Sequence, residues 1–97
     1  MAVKIIINLQ AQPGKGDALV QFFGEVLGDT RAFAGCIECD VFRNQDDSDQ
    51  LSIVELFESR AAYDKYFAWR VESGTIEAIG ALIAAAPAPQ FYDKVDA

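Results

Sequence analysis

The stretch Leu51 to Glu58, LSIVELFE, reads as a strand that is apolar on both faces, and this limits the folds open to the chain. Successive side chains of a strand point to opposite sides of its sheet. Leu51, Ile53 and Phe57 therefore share one face, and Val54 and Leu56 the other. An antiparallel sheet with one side in water carries polar residues on that side; this strand needs cover on both. The 97 residues make a single domain, 1–97, with a small core. At 52% hydrophobic the chain is too apolar to be disordered.

The other elements follow from periodicity and punctuation. Val3 to Gln10 alternates as a strand, and Pro13-Gly14-Lys15-Gly16 turns the chain, with Asp17 the expected N-cap of a helix to about Thr30. Leu19, Val20, Phe22, Phe23, Val26 and Leu27 give that helix one apolar stripe. After a turn at Phe33-Ala34-Gly35, Cys36 to Asn44 alternates, with Ile37, Cys39 and Val41 on one face and Cys36, Glu38, Asp40 and Phe42 on the other. The polar loop from Asn44 to Asp49 leads into the apolar strand. Ser59 caps the next helix, and Ser73 or Thr75 caps a further piece carrying Ile76, Ile79, Gly80 and Ile83. Pro87 and Pro89 end it, and Gln90 to Val95 reads as a last strand.

The order strand, helix, strand, strand, helix, strand is the ferredoxin-like βαββαβ pattern, an α+β fold with helices on one face of a four-stranded antiparallel sheet. Ile6, Phe42, Val54, Leu56 and Tyr92 remain on the other face. Burying one such side chain is worth about 1.5–3 kcal/mol, so a homodimer packed sheet against sheet is expected.

A net charge of −7 opposes binding to nucleic acid or to an anionic membrane. The N-terminal run lacks the features of a signal peptide, and the Ala-rich run from Ala78 to Ala86 is too short to span a bilayer. A soluble, cytoplasmic protein is expected. The chain has no histidine, the commonest general base and transition-metal ligand. Chemistry must then run on Tyr, Asp, Glu, Arg, Asn or Cys, or on the substrate itself.

Cys36 and Cys39 match C-x-x-C. Residues three apart on a regular strand point to opposite faces, so inert, half-buried thiols are expected rather than a redox pair or a metal site. Asp46, Asp47 and Asp49 lack the glycine and final glutamate of a calcium loop and read as a solvated turn. Glu55 sits among apolar neighbours and needs a partner. An ion pair with Arg43 or Arg70 is expected, the alternative being a carboxylate base of raised pKa at a pocket edge. Asn8 lies on the face opposite Val3, Ile5 and Ile7, where it can bind a ligand carbonyl or sit at the dimer seam.

The sharpest group is on the second long helix. At 100° per residue, Trp69, Ala62, Tyr66, Arg70, Tyr63 and Phe67 follow one another around one side, with Asp64 and Lys65 opposite. A cation and phenols thus stand in the middle of an aromatic stripe. One reading makes Trp69 and Phe67 core, with Arg70 complementing the helix C-terminus and the phenols reaching outward. The other is a pocket between helix and sheet for a flat, oxygenated aromatic molecule, with Arg70 stabilising its phenolate or enolate.

VELFESRAAYDKYF, PGKG after the first strand, and AGCIECDVFRN resemble the antibiotic biosynthesis monooxygenase (ABM) family over nearly the whole chain. The resemblance implies a dimeric α+β barrel of ferredoxin-like subunits. It also implies oxidation of a small aromatic, polyketide or quinol-type substrate by O₂ with no cofactor, the substrate anion passing an electron to O₂. On this reading Tyr66, Arg70 and Asn8 are the catalytic residues, and Phe57, Trp69, Tyr63 and Glu55 bind substrate. Phe57 stands where many members have Trp, Tyr66 where many have His, and a second common His falls near Val71. Haem degradation, which in that group relies on an axial His, is therefore not expected. A ligand-binding or assembly module, and an isomerase or cyclase using Glu55 or a Tyr as proton shuttle, are the alternatives on the same scaffold.

Overall fold

The computed structural model describes residues 1–97. Its elements are β1 (Val3–Gln10), α1 (Gly16–Ala32), β2 (Cys36–Arg43), β3 (Gln50–Phe57), α2 (Arg60–Glu72), α3 (Thr75–Gly80) and β4 (Gln90–Tyr92). The strands form one sheet in the order β2-β3-β1-β4, with every neighbouring pair antiparallel. This is the ferredoxin-like arrangement, and β1 and β3 occupy its centre. No helix is long and apolar enough to cross a membrane.

Alternation along β3 decides which side chains meet the helices. Leu51, Ile53, Glu55 and Phe57 are buried, while Ser52, Val54 and Leu56 on the other face are only half-buried. The core beneath the helices is in two parts. Under α1 lie Leu9, Leu19, Phe23, Leu27, Cys39, Leu51 and Ile53. Under α2 lie Val3, Ile5, Phe57, Tyr63 and Tyr66. Ile7 packs against both. The division matters because a seam between two packed clusters is where a cavity can open.

The far face of the sheet has no cover within the chain. Phe42 (58% exposed) and Tyr92 stand out into solvent, beside half-buried Ile6, Val54 and Leu56. Asn8 lies on this face opposite Ser52, whose hydroxyl donates to its Oδ1 at 2.6 Å.

Several local features depart from the pattern expected of the sequence. The alternation of β2 breaks at a bulge between Cys36 and Glu38, where the register to β3 shifts. Cys36 pairs with Phe57 and Cys39 with Glu55, so both cysteines sit on the helix side. The rule that residues three apart face oppositely fails here because the strand carries one extra residue. That residue, Ile37, is 54% exposed rather than in line with Cys39 and Val41. Both thiols are free.

Asp17 is not the N-cap of α1; Lys15 holds that position without a side-chain bond. The exposed backbone donors are met from across the fold, by Asp49, whose carboxylate accepts from Gly14 N at 3.0 Å and Gly16 N at 2.9 Å. Those two N–H groups hold the Asp49 carboxyl below its usual range. Asp17 instead pairs with Arg43 at 2.8 Å. The acidic loop is the solvated turn expected, exposed at Asp46 and Asp47, and through Asp49 it also clamps the helix start. A Cβ at Gly16 would run into Ser48 O, the Asp49 carboxylate and the Arg43 guanidinium. Gly16→Ala is expected to cost about 1–3 kcal/mol through overpacking, read as a lower midpoint in thermal unfolding.

Ser59 caps α2, its Oγ accepting from Ala62 N at 3.0 Å. The cap of α3 is Gly74, in the left-handed region at φ 79°, rather than Ser73 or Thr75. That helix ends at Gly80, and Ile83 lies beyond it, bridging to Ala11. β4 stops at Tyr92, short of Val95.

Candidate functional site

A cavity of about 60 Å³ opens at the seam of the two core clusters, between the sheet and the helices. Ile7 and Ile53 form its floor, Phe23 and Leu27 one wall, Tyr63 and Tyr66 the other, and Phe67, Thr75, Ile76 and Ile79 the region where α2 meets α3. Ionisable groups enter from two sides, Glu55 from β3 and Arg70 with the two tyrosines from α2. The angular order of α2 put Tyr66 and Arg70 at the middle of its aromatic side, and Tyr63, Tyr66 and Arg70 are its buried residues.

Arg70 is 4% exposed and is held by a fan of hydrogen bonds. Its Nε donates to Tyr66 OH at 2.9 Å, and its Nη2 to Val26 O and Thr30 Oγ1, each at 2.7 Å. Thr30 Oγ1 and Tyr66 OH are themselves hydrogen-bonded at 2.7 Å, and either hydroxyl can be the donor. Only Nη1 is loosely held, 3.4 Å from Thr75 Oγ1. The ion pairs of the chain join Lys4 to Glu38, Arg43 to Asp17 and Arg60 to Asp64. Arg70 is in none of them, so its charge is buried against neutral acceptors. Burial raises the pKa of Tyr66, opposed by the bonds from Thr30 and Arg70. Tyr66 is therefore a neutral phenol at physiological pH.

Glu55 is 2% exposed and forms no ion pair with either expected arginine. Arg43 is drawn to Asp17 and Ser48 O at the helix start, and Arg70 to the α1 acceptors. The partner of Glu55 is Cys39, whose thiol lies 3.7 Å from Oε2; Oε1 has none. Burial lifts the Glu55 carboxyl to about 7, with the thiol bond and the charge of Arg70 pulling the other way. The Cys39 thiol is pushed up to about 12, chiefly by burial and then by Glu55, and stays protonated. The alternative reading of Glu55, a carboxylate of raised pKa at a pocket, is the one the geometry matches.

The remaining candidates are not brought to the cavity. Phe57 is fully buried behind it, with ring centroids 5.4 Å from Tyr63 and 5.3 Å from Tyr66. Trp69 stacks on Phe33 at 5.4 Å and lies against the guanidinium of Arg70, 4.6 Å from its ring centroid. It braces Arg70 from outside the cavity lining. Asn8 is on the opposite side of the sheet. Thr30, bonded to Arg70 and Tyr66, and Cys39, bonded to Glu55, are contacts of the candidate residues that the sequence did not reveal. Thr30 falls on the face of α1 that meets α2, a polar residue on an otherwise apolar side, and that was its only signal.

The model of the antibiotic biosynthesis monooxygenase family matches residues 2–84. Among functionally curated proteins, none shows significant sequence similarity to the chain. Solved structures share the fold at low identity. A crystal structure of an antibiotic biosynthesis monooxygenase superposes with a TM-score of 0.86 at 23% identity, covering 97% of this chain and 99% of that one. Rv0793 from Mycobacterium tuberculosis matches at 0.76 and 23%, covering 100% and 98%. A variant of SnoaB, a cofactor-independent oxygenase from Streptomyces nogalater, matches at 0.85 and 11%, covering 99% and 95%. With the family model spanning both long helices and the three long strands, the chain belongs to the antibiotic biosynthesis monooxygenase family.

Proposed function

We propose that the protein is a cofactor-independent monooxygenase of a small hydroxylated aromatic molecule, of quinol or polyketide type. The observation that carries this reading is Arg70, a buried cation with no carboxylate partner beside an apolar cavity. A ligand anion would supply the missing counter-charge. Deprotonation of a phenol or enol makes a ring electron-rich enough to reduce O₂, and Arg70, with Tyr66 behind it, stabilises that anion. For an activated methylene the balance closes without an external reductant: two C–H bonds break, one oxygen atom becomes the product carbonyl, and the other leaves as water. SnoaB, on the same fold, is a cofactor-independent oxygenase, which supports this class of reaction.

The size of the cavity bears on the substrate. Its 60 Å³ holds a few waters, so a ring enters only as Phe67 and Ile76, both partly exposed lining residues, swing outward. O₂ uptake with a panel of anthrones and quinols tests the proposal. Arg70→Lys and Tyr66→Phe are expected to lower kcat/KM by about a hundredfold, and activity unchanged in both would overturn their roles. The unpaired Oε1 of Glu55 favours one second reading, proton shuttling in an isomerase or cyclase. Substrate rearrangement without O₂ uptake would select it.

We also propose that the protein is a homodimer closed over the open sheet face. Phe42, Val54, Leu56 and Tyr92 there support this reading, at about 1.5–3 kcal/mol for each side chain fully buried. Light scattering at micromolar concentration is expected to give twice the chain mass, and Phe42→Glu combined with Leu56→Glu to give the chain mass. A wild-type monomer would overturn the proposal.

A further inference from the structure

We infer that Glu55 is the proton acceptor for the ligand's hydroxyl group, and that Cys39 is the positioning residue that leaves Glu55 Oε1 free to take the proton. The inference rests on the hydroxyaromatic reading above and gives that site its base. Glu55 is among the residues that line the cavity, and its Oε1 is the one buried side-chain oxygen in the chain with no hydrogen-bond partner. An unpaired buried carboxylate oxygen is costly, and it is the complement of a ligand O–H. The other oxygen is occupied by the Cys39 thiol. The β2 bulge puts that thiol there, by bringing Cys39 into register with Glu55 on the helix side of the sheet.

The step is a single proton transfer. The ligand O–H bond breaks, an O–H bond forms at Glu55 Oε1, and the electron pair stays on the ligand oxygen. The site then holds a neutral carboxylic acid, a phenolate and the Arg70 guanidinium: its net charge is unchanged, and the negative charge has moved from Glu55 to the ligand oxygen. The other titratable groups facing Glu55 do not compete as bases. Cys36 and Cys39 from β2 are thiols whose pKa is raised, Tyr63 and Tyr66 from α2 are phenols whose pKa is raised, and Arg70 is a permanent cation. The β1 neighbour, Ile5, is apolar.

The complex forms from ionised Glu55 and neutral ligand. Affinity is therefore expected to be bell-shaped in pH, falling about tenfold per unit below the Glu55 limb near 7 and above the ligand's own pKa. Para-nitrophenol is a suitable probe because its phenolate absorbs in the visible and its phenol does not. A set of phenols of rising pKa then moves the alkaline limb and leaves the acid limb in place. The wild-type protein is expected to bind the probe as phenolate even below the probe's free pKa. Glu55→Gln is expected to abolish the acid limb and the phenolate signal. Cys39→Ala is expected to move the acid limb to higher pH, because the thiol bond favours the carboxylate, and Cys39→Ser to restore it. Binding as neutral phenol, or a wild-type profile with no acid limb, would overturn the assignment without touching the ligand class. No binding by any phenol would remove the ligand reading, and this assignment with it.

Discussion

Arg70→Ala is expected to destabilise the protein by about 2–5 kcal/mol, because it removes charge-assisted hydrogen bonds that join α2 to α1, and one to Tyr66 within α2, and leaves their acceptors buried. Urea unfolding would read this directly, and the thermal midpoint is expected to fall by about 10 °C or more. Thr30 and Tyr66 still bond each other in the variant, which keeps the loss below the sum of the separate contacts. Arg70→Met separates structure from function. Met fills much of the arginine's space, so it avoids most of the cavity that Ala leaves, while the same acceptors lose their donor in both variants. Arg70→Met is therefore expected to be more stable than Arg70→Ala while losing hydroxyaromatic binding as completely. If Arg70→Met retained that binding, Arg70 would be a structural tie between the helices and nothing more.

The comparison of Arg70 with Glu55 indicates what a sequence of this kind can reveal. The placement of Arg70 and Tyr66 depends on local geometry alone: 100° per residue sets them at the middle of an aromatic side, and the fold keeps them there. The open sheet face was equally legible, since period-two alternation along β1 and β3 needs no knowledge of the rest of the fold. Glu55 was harder. Its face was readable, but its partner depended on the register of β2, and one extra residue at Ile37 moved Cys36 and brought the C-x-x-C pair to a single side. Nothing in the composition of Cys36-Ile37-Glu38-Cys39 marks a bulge.

The helix starts make the same distinction. Ser59 caps α2 from within its own turn and was visible. The cap of α1 comes from Asp49, more than thirty residues on, and was not. Where a side chain had two charged candidates, as Glu55 had Arg43 and Arg70, both arginines went to partners in or beside α1. Competition of that kind is settled in three dimensions. Asn8 illustrates the limit from the other side: its face was read correctly, yet that face is the one without the cavity.

Glu55 should also make the fold less stable as pH rises through neutrality. Its carboxyl titrates at about 7 in the folded chain, against an ordinary value of 4.5. Between those values the folded protein keeps a proton that the unfolded chain has lost. Stability from this group is therefore complete below about 4.5, declines as pH rises, and is gone above about 7. At about 1.4 kcal/mol per tenfold change in proton affinity, the decline amounts to about 3 kcal/mol. Other groups act in other windows. Asp49, its pKa lowered by two backbone N–H groups, contributes stability that is lost only as pH falls below the usual carboxylate range. Cys39 weakens the fold only between 9.0 and about 12. Urea unfolding from pH 5 to pH 8 isolates Glu55, and Glu55→Gln is expected to flatten the slope and to be the more stable protein at pH 8. A wild-type curve that is flat across this range would mean that the carboxylate is already paired. A variant that is more stable and yet no longer binds phenols as phenolates would show that Glu55 is kept for its proton chemistry, at a cost to the fold.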